Sequence, residues 1–79
     1  MSGQYPPLTC REVKRGLKKL GFEPRTQKGS HEQWIKDVSG HRYKVTVDCP
    51  KEPFTGDLIS SMASQAGISK KDFYKACRE

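Results

Sequence analysis

A chain of 79 residues makes one domain, and none of its stretches approaches the roughly 18 consecutive apolar residues of a membrane span. Its 15 Lys+Arg against 9 Asp+Glu leave a formal net charge of +6 and a sequence pI near 9.4. That balance suits a polyanionic partner such as nucleic acid, although charge speaks to association and not to fold.

Residues 1–8 read as a flexible arm. Pro6 and Pro7 oppose a helix there, and the segment lacks the basic start and apolar run of a secretory leader. The domain is expected over residues 9–79. Thr9-Cys10-Arg11-Glu12 has the form of a capping box. Cys10, Val13, Leu17 and Leu20 follow at helical spacing. Arg11, Lys14, Arg15, Lys18 and Lys19 fill the opposite face of that helix. Gly16 is a weak point inside it, worth about 1 kcal/mol against alanine, and Gly21 ends it. Residues 22–28 suit an edge strand, since Pro24 cannot donate to a ladder. Gly29-Ser30 is a turn, 31–38 a second strand, Ser39-Gly40 a hairpin turn and 42–48 a third strand. Alternation sends Tyr43, Val45 and Val47 to one face of the third strand and Arg42, Lys44 and Thr46 to the other. For the second strand, Trp34 and Val38 are expected in the core, which leaves His31, Gln33 and Ile35 on the open face. Residues 48–53 form a loop. Thr55 is the candidate cap of a helix carrying Leu58, Ile59, Met62 and Ala66, which Gly67 stops. Ser69 to Asp72 can start a last short helix with Phe73, Ala76 and Cys77. The predicted fold is α+β: αβββα with a short C-terminal helix, its three-stranded antiparallel sheet covered by helices on one face.

Cys10, Cys49 and Cys77 are odd in number, widely spaced and without a C-x-x-C pair. The spacing predicts neither a disulfide framework nor a zinc site, and points to the cytoplasm, where thiols stay reduced. Trp34, Tyr43, Phe22, Phe73 and Met62 read as core rather than as base-stacking platforms.

The most telling feature is Gly29-Ser30-His31. An unperturbed histidine, with a pKa of roughly 6.5, gives and takes protons near neutrality. Leu20-Gly21-Phe22, Lys28-Gly29-Ser30-His31, the hairpin, Thr55-Gly56-Asp57-Leu58-Ile59 and Gln65-Ala66-Gly67-Ile68-Ser69 occur in that order. Together they resemble the HicA (YcfA-like) toxins over about residues 8–77. The resemblance implies a fold like the double-stranded RNA-binding domain, an mRNA interferase activity, and inhibition by a HicB-like antitoxin encoded alongside. It places the catalytic histidine at His31. There are departures. Members often carry a further histidine in a Pro-x-His context near the end of the third strand, where this chain reads Val47-Asp48-Cys49-Pro50. Residues 51–54 also differ from the usual loop, and the N-terminal arm is longer.

Cleaving RNA without a metal or small-molecule cofactor requires a deprotonated 2′-OH, a stabilised phosphorane and a protonated leaving group. His31 is the candidate for proton transfer. Lys28, Gly29, Ser30 and Arg25 are candidates for holding the scissile phosphate. Lys14 and Lys18 on the first helix, with Arg42 and Lys44 on the third strand, are candidates for further RNA contact. No residue stands out in the sequence as a second proton-transfer group; His41 reads as a solvated turn residue. Two other readings remain open at this point: an RNA-binding module of the same fold without cleavage, and an adaptor whose basic surface docks an acidic protein.

Overall fold

The computed structural model describes residues 6–79, so most of the expected arm lies outside the described residues. Its last member, Leu8, is fully buried, and its N–H and carbonyl bond to Phe54 at 3.0 and 2.7 Å. Helix α1 spans Cys10–Lys19 and starts on the expected capping box. Glu12 N–H donates to Thr9 Oγ1 (3.2 Å), and Thr9 N–H donates to Glu12 Oε1 (2.9 Å). The helix closes with Gly21 N–H on the Lys18 carbonyl and Phe22 N–H on the Leu17 carbonyl, which folds Phe22 into the core.

Strands β1 (Glu23–Lys28), β2 (His31–Val38) and β3 (His41–Asp48) form an antiparallel sheet in the order β1-β2-β3. A bulge between Pro24 and Thr26 breaks the outer ladder, on the strand where proline removes a donor. The β2–β3 turn is the two residues Ser39 and Gly40, both at positive φ (49° and 81°), the twist a two-residue hairpin needs. A 3₁₀ turn (Cys49–Lys51) follows β3, and helices α2 (Gly56–Ala66) and α3 (Lys70–Arg78) complete an αβββαα chain of the double-stranded RNA-binding type. Thr55 occupies the cap position of α2, but its side chain makes no capping bond; Ser69 caps α3 through Asp72 N–H.

One face of the sheet carries Trp34, Val45 and Val47, buried with Val13 and Leu17 of α1, Ile59 and Met62 of α2, and Phe73 and Cys77 of α3. Val38 does not join them. It shares their face but is 41% exposed, because the strands outrun the helix layer: the Trp34–Val45 pair is buried, Lys36–Tyr43 half-buried, and Val38 beside the turn uncovered. Tyr43 is accordingly half-buried rather than core.

Gly16 is where α1 meets α3. A Cβ there would sit 2.5 Å from Cys77 Sγ and 2.8 Å from the Cys77 Cα, so the residue read as a weakness is what permits the contact. Gly16→Ala should therefore lose roughly 1–3 kcal/mol by overpacking instead of gaining the ~1 kcal/mol of helix propensity. Urea unfolding of the two proteins measures the sign directly.

The expectation of three free thiols is corrected by the fold. Cys10 and Cys49 are bonded as a disulfide, with Cα atoms 5.2 Å apart across 39 residues of sequence. Spacing did not reveal this because the pairing is made by tertiary contacts. The Leu8–Phe54 bridge lays the start of α1 against the segment after β3, and Cys10 N–H also donates to the Glu52 carboxylate at 2.6 Å. Cys77 is free and buried.

Candidate active site

The β1–β2 turn puts Gly29 at φ +61° and fully in the open, with nothing within 4 Å of where a Cβ would project. The glycine is there for the backbone conformation, and the tip it forms with Ser30 is exposed. His31 follows as the first residue of β2, paired across the ladders with Lys28 on one side and Asp48 on the other. Partners directly opposite share a face, so Lys28, His31 and Asp48 form a row on the open side of the sheet.

His31 Nε2 lies 3.1 Å from Asp48 Oδ2. The histidine side chain is 56% exposed and the aspartate side chain 18%. A carboxylate only accepts, so Nε2 carries the hydrogen of this bond and Nδ1 of the neutral ring keeps its lone pair. The other carboxylate oxygen, Asp48 Oδ1, is buried and has no donor among the described residues. Asp48 therefore orients the imidazole while its own position is set by burial. Asp48 is the member of this candidate site that local sequence motifs do not reveal. A signal for it existed: with a two-residue turn at Ser39-Gly40, counting outward along both strands brings Asp48 opposite His31. The same count removes His41 from consideration. It pairs with Val38 at the far end of the ladder, roughly 24 Å away at about 3.4 Å per residue, where its ring rests on Tyr43 with centroids 4.3 Å apart.

The open face carries the expected cations of the strands. Arg25, thrown out by the bulge, borders a shallow depression with Thr26, Ile35 and Arg42. Arg42 Nε donates to Asp37 at 2.9 Å; this bond holds the Asp37 carboxyl below its ordinary range and the Arg42 guanidinium above its own. Lys28 and Lys44 have no ion-pair partner among the described residues. The helix cations are elsewhere. Lys14 Nζ sits 3.1 Å from Glu32, which projects from β2 on the face opposite to His31 and also accepts from the Trp34 indole at 2.8 Å. Lys14 is thus tied into the helix side of the molecule, and Lys18 is exposed on the same helix. The fold gathers Lys28, Gly29, Ser30, Arg25, Arg42 and Lys44 on the side of His31 and leaves Lys14 and Lys18 on the other layer.

Beside His31 the sheet gives way to a cleft of about 220 Å³ between the outer edge of β3, the 3₁₀ turn and α2. Asp48 and Thr46 form its strand wall, Lys51 its rim, and Ser61, Met62 and Gln65 its helix wall.

A family model described as the HicA toxin of bacterial toxin–antitoxin systems matches residues 10–68, which include the whole sheet, the His31–Asp48 pair and the cleft. No curated protein and no solved structure matches the chain.

Proposed function

The chain belongs to the HicA toxin family of bacterial toxin–antitoxin systems, and on that footing we propose that it is a metal-independent endoribonuclease that cleaves mRNA at His31 and is held inactive by a HicB-like antitoxin. The observation that carries this reading is the His31–Asp48 pair at 3.1 Å on an exposed, cationic sheet face. Asp48 fixes the tautomer in which Nδ1 is the free base. Nδ1 takes the proton of a ribose 2′-OH, the 2′-oxygen attacks the adjacent phosphorus, and the bond to the 5′-oxygen breaks. The leaving oxygen is protonated from solvent at this exposed rim. Charge on the phosphorane is met by Lys28, by the Ser30 hydroxyl and by backbone N–H groups of the Gly29-Ser30 turn, with Arg25, Arg42 and Lys44 tracking the flanking phosphates.

The deciding experiment is incubation of a labelled mRNA with the purified protein in EDTA, with and without its antitoxin. Cleavage that the antitoxin suppresses supports the reading. RNA bound but left whole would make the chain a non-catalytic RNA-binding module of the same fold. Asp48→Asn keeps an acceptor but loses the charge. It is expected to slow single-turnover cleavage about ten- to hundredfold, less than the ~10⁴-fold of a buried triad carboxylate, because His31 is largely solvated.

A further inference from the structure

The cleft beside His31 contains polar groups that the cleavage chemistry above leaves unused. Gln65 Oε1 accepts from Thr46 N–H at the free edge of β3 (3.4 Å). That bond turns the amide so that its two Nε2 hydrogens remain for a ligand. Ser61 is exposed one helical turn earlier, and Met62 supplies an apolar floor between them. Lys51 stands at the rim without an ion-pair partner among the described residues. The volume of about 220 Å³ lies below the roughly 300–1,000 Å³ of sites for drug-sized ligands, which suits a single flat ring system. An anion is disfavoured inside the cleft by the Asp48 carboxylate in its wall, whereas a neutral ring with hydrogen-bonding edges meets Gln65 and Ser61.

We infer that this cleft is a nucleobase subsite: it takes the base of one nucleotide next to the cleaved bond, turned out of its stack, while Lys51 holds that nucleotide's phosphate at the rim. The inference rests on the endoribonuclease reading, since it is the scissile phosphate at His31 that brings a nucleotide to the mouth of the cleft. It adds a substrate class. A base can enter only if it is unpaired, so the substrate is single-stranded RNA, and duplex RNA is excluded despite the fold. Base contacts in single strands are of the stacking and edge-reading kind. Gln65 and Ser61 are the residues that would set which base is preferred.

The test uses binding, so that it does not depend on cleavage. A short single-stranded RNA oligonucleotide with 2′-O-methyl riboses, which cannot be cut, is titrated against wild type, Ser61→Phe and Lys51→Ala, alongside the same oligonucleotide in an A-form duplex. Ser61 and Lys51 are both exposed, and circular dichroism confirms the fold of each variant. Filling the cleft with Ser61→Phe is expected to weaken single-strand binding about tenfold, the size of one lost base contact. Lys51→Ala should lower the slope of log affinity against log salt by about 0.7, one phosphate on a single strand. The wild type should prefer the single strand to the duplex. Wild-type affinity in the folded Ser61→Phe protein overturns the subsite, as does an unchanged salt slope in Lys51→Ala. A Ser61→Phe protein that binds RNA normally but loses its antitoxin would assign the cleft to the protein partner and also overturn it. Failure of the nuclease reading shows separately, as a ribo-oligonucleotide bound by wild type and left uncut.

Discussion

His31→Ala is expected to abolish RNA cleavage, with a loss of about 10²–10⁴-fold for removing a positioned base, while the protein stays folded and still binds RNA. The geometry separates the two effects. His31 is 56% exposed and its only described polar partner is Asp48. A single hydrogen bond from a half-solvated imidazole contributes about 0.5–1.5 kcal/mol, so the unfolding midpoint should move little. The phosphate contacts lie on Lys28, Ser30 and the other strand cations, so affinity for an uncleavable RNA should be unchanged. Single-turnover cleavage in EDTA, binding by anisotropy and a urea titration, made on the same preparation, check all three. Toxicity on expression should disappear with the same change. Equal cleavage by wild type and His31→Ala would remove histidine from the mechanism.

Cys49→Ser should produce the largest change in stability. In the chain-entropy account, a cross-link closing a loop of 39 residues is worth about 3–4 kcal/mol, close to the roughly 3–5 kcal/mol that a core of this size supplies in total. The serine variant, or the wild type in reductant, should therefore unfold at much lower denaturant. Thiol counting tests the bond itself. The native oxidised protein should expose no reactive thiol, since burial pushes the Cys77 thiol up to about 12 and Cys10 and Cys49 are joined. Unfolding without reductant should release one thiol, and unfolding with it three. Three thiols without reductant would mean that the bond does not form in solution. The sign of the Cys77 effect is also fixed. Its folded pKa lies above its unfolded one, so the stabilisation is complete below the unfolded value and declines as pH rises towards about 12.

Much of this molecule could be read from local chemistry. The capping box at Thr9, the glycine closures at Gly21 and Gly67 and the alternation of Tyr43, Val45 and Val47 are each decided by residues within a few positions of one another. The strand ends at His31 and Val38 followed from turn residues in the same way. What escaped was set at long range. Cys10 meets Cys49 only because Leu8 pairs with Phe54. Val38 is exposed only because the helices stop short of the hairpin tip. Gly16 looked like a defect because Cys77, which fills the space it leaves, is far along the chain. In the candidate site, His31 and its flanking Lys28, Gly29 and Ser30 were visible as a contiguous motif. Asp48 was not, because its relation to His31 is a matter of strand register. Near the end of the third strand, where the further histidine of many family members is absent, Asp48 stands against His31. The division of the cations was likewise invisible: both helix and strands are basic, and only the layering shows that Lys14 faces Glu32 and not the histidine.

The dipeptide Ser39-Gly40 has a consequence for how this protein can change over time. Surface turns are ordinarily where insertions and deletions accumulate harmlessly. Here the turn serves as the origin from which both strands are measured. A length change that shifts the pairing by one residue reverses every side chain of β3, presenting Val47 to the solvent side and folding Asp48 inward beneath His31. The hairpin tip touches nothing near the histidine, yet its length decides whether Asp48 stands opposite His31. Variants altered there should be recovered as survivors when cells are selected for escape from the toxin.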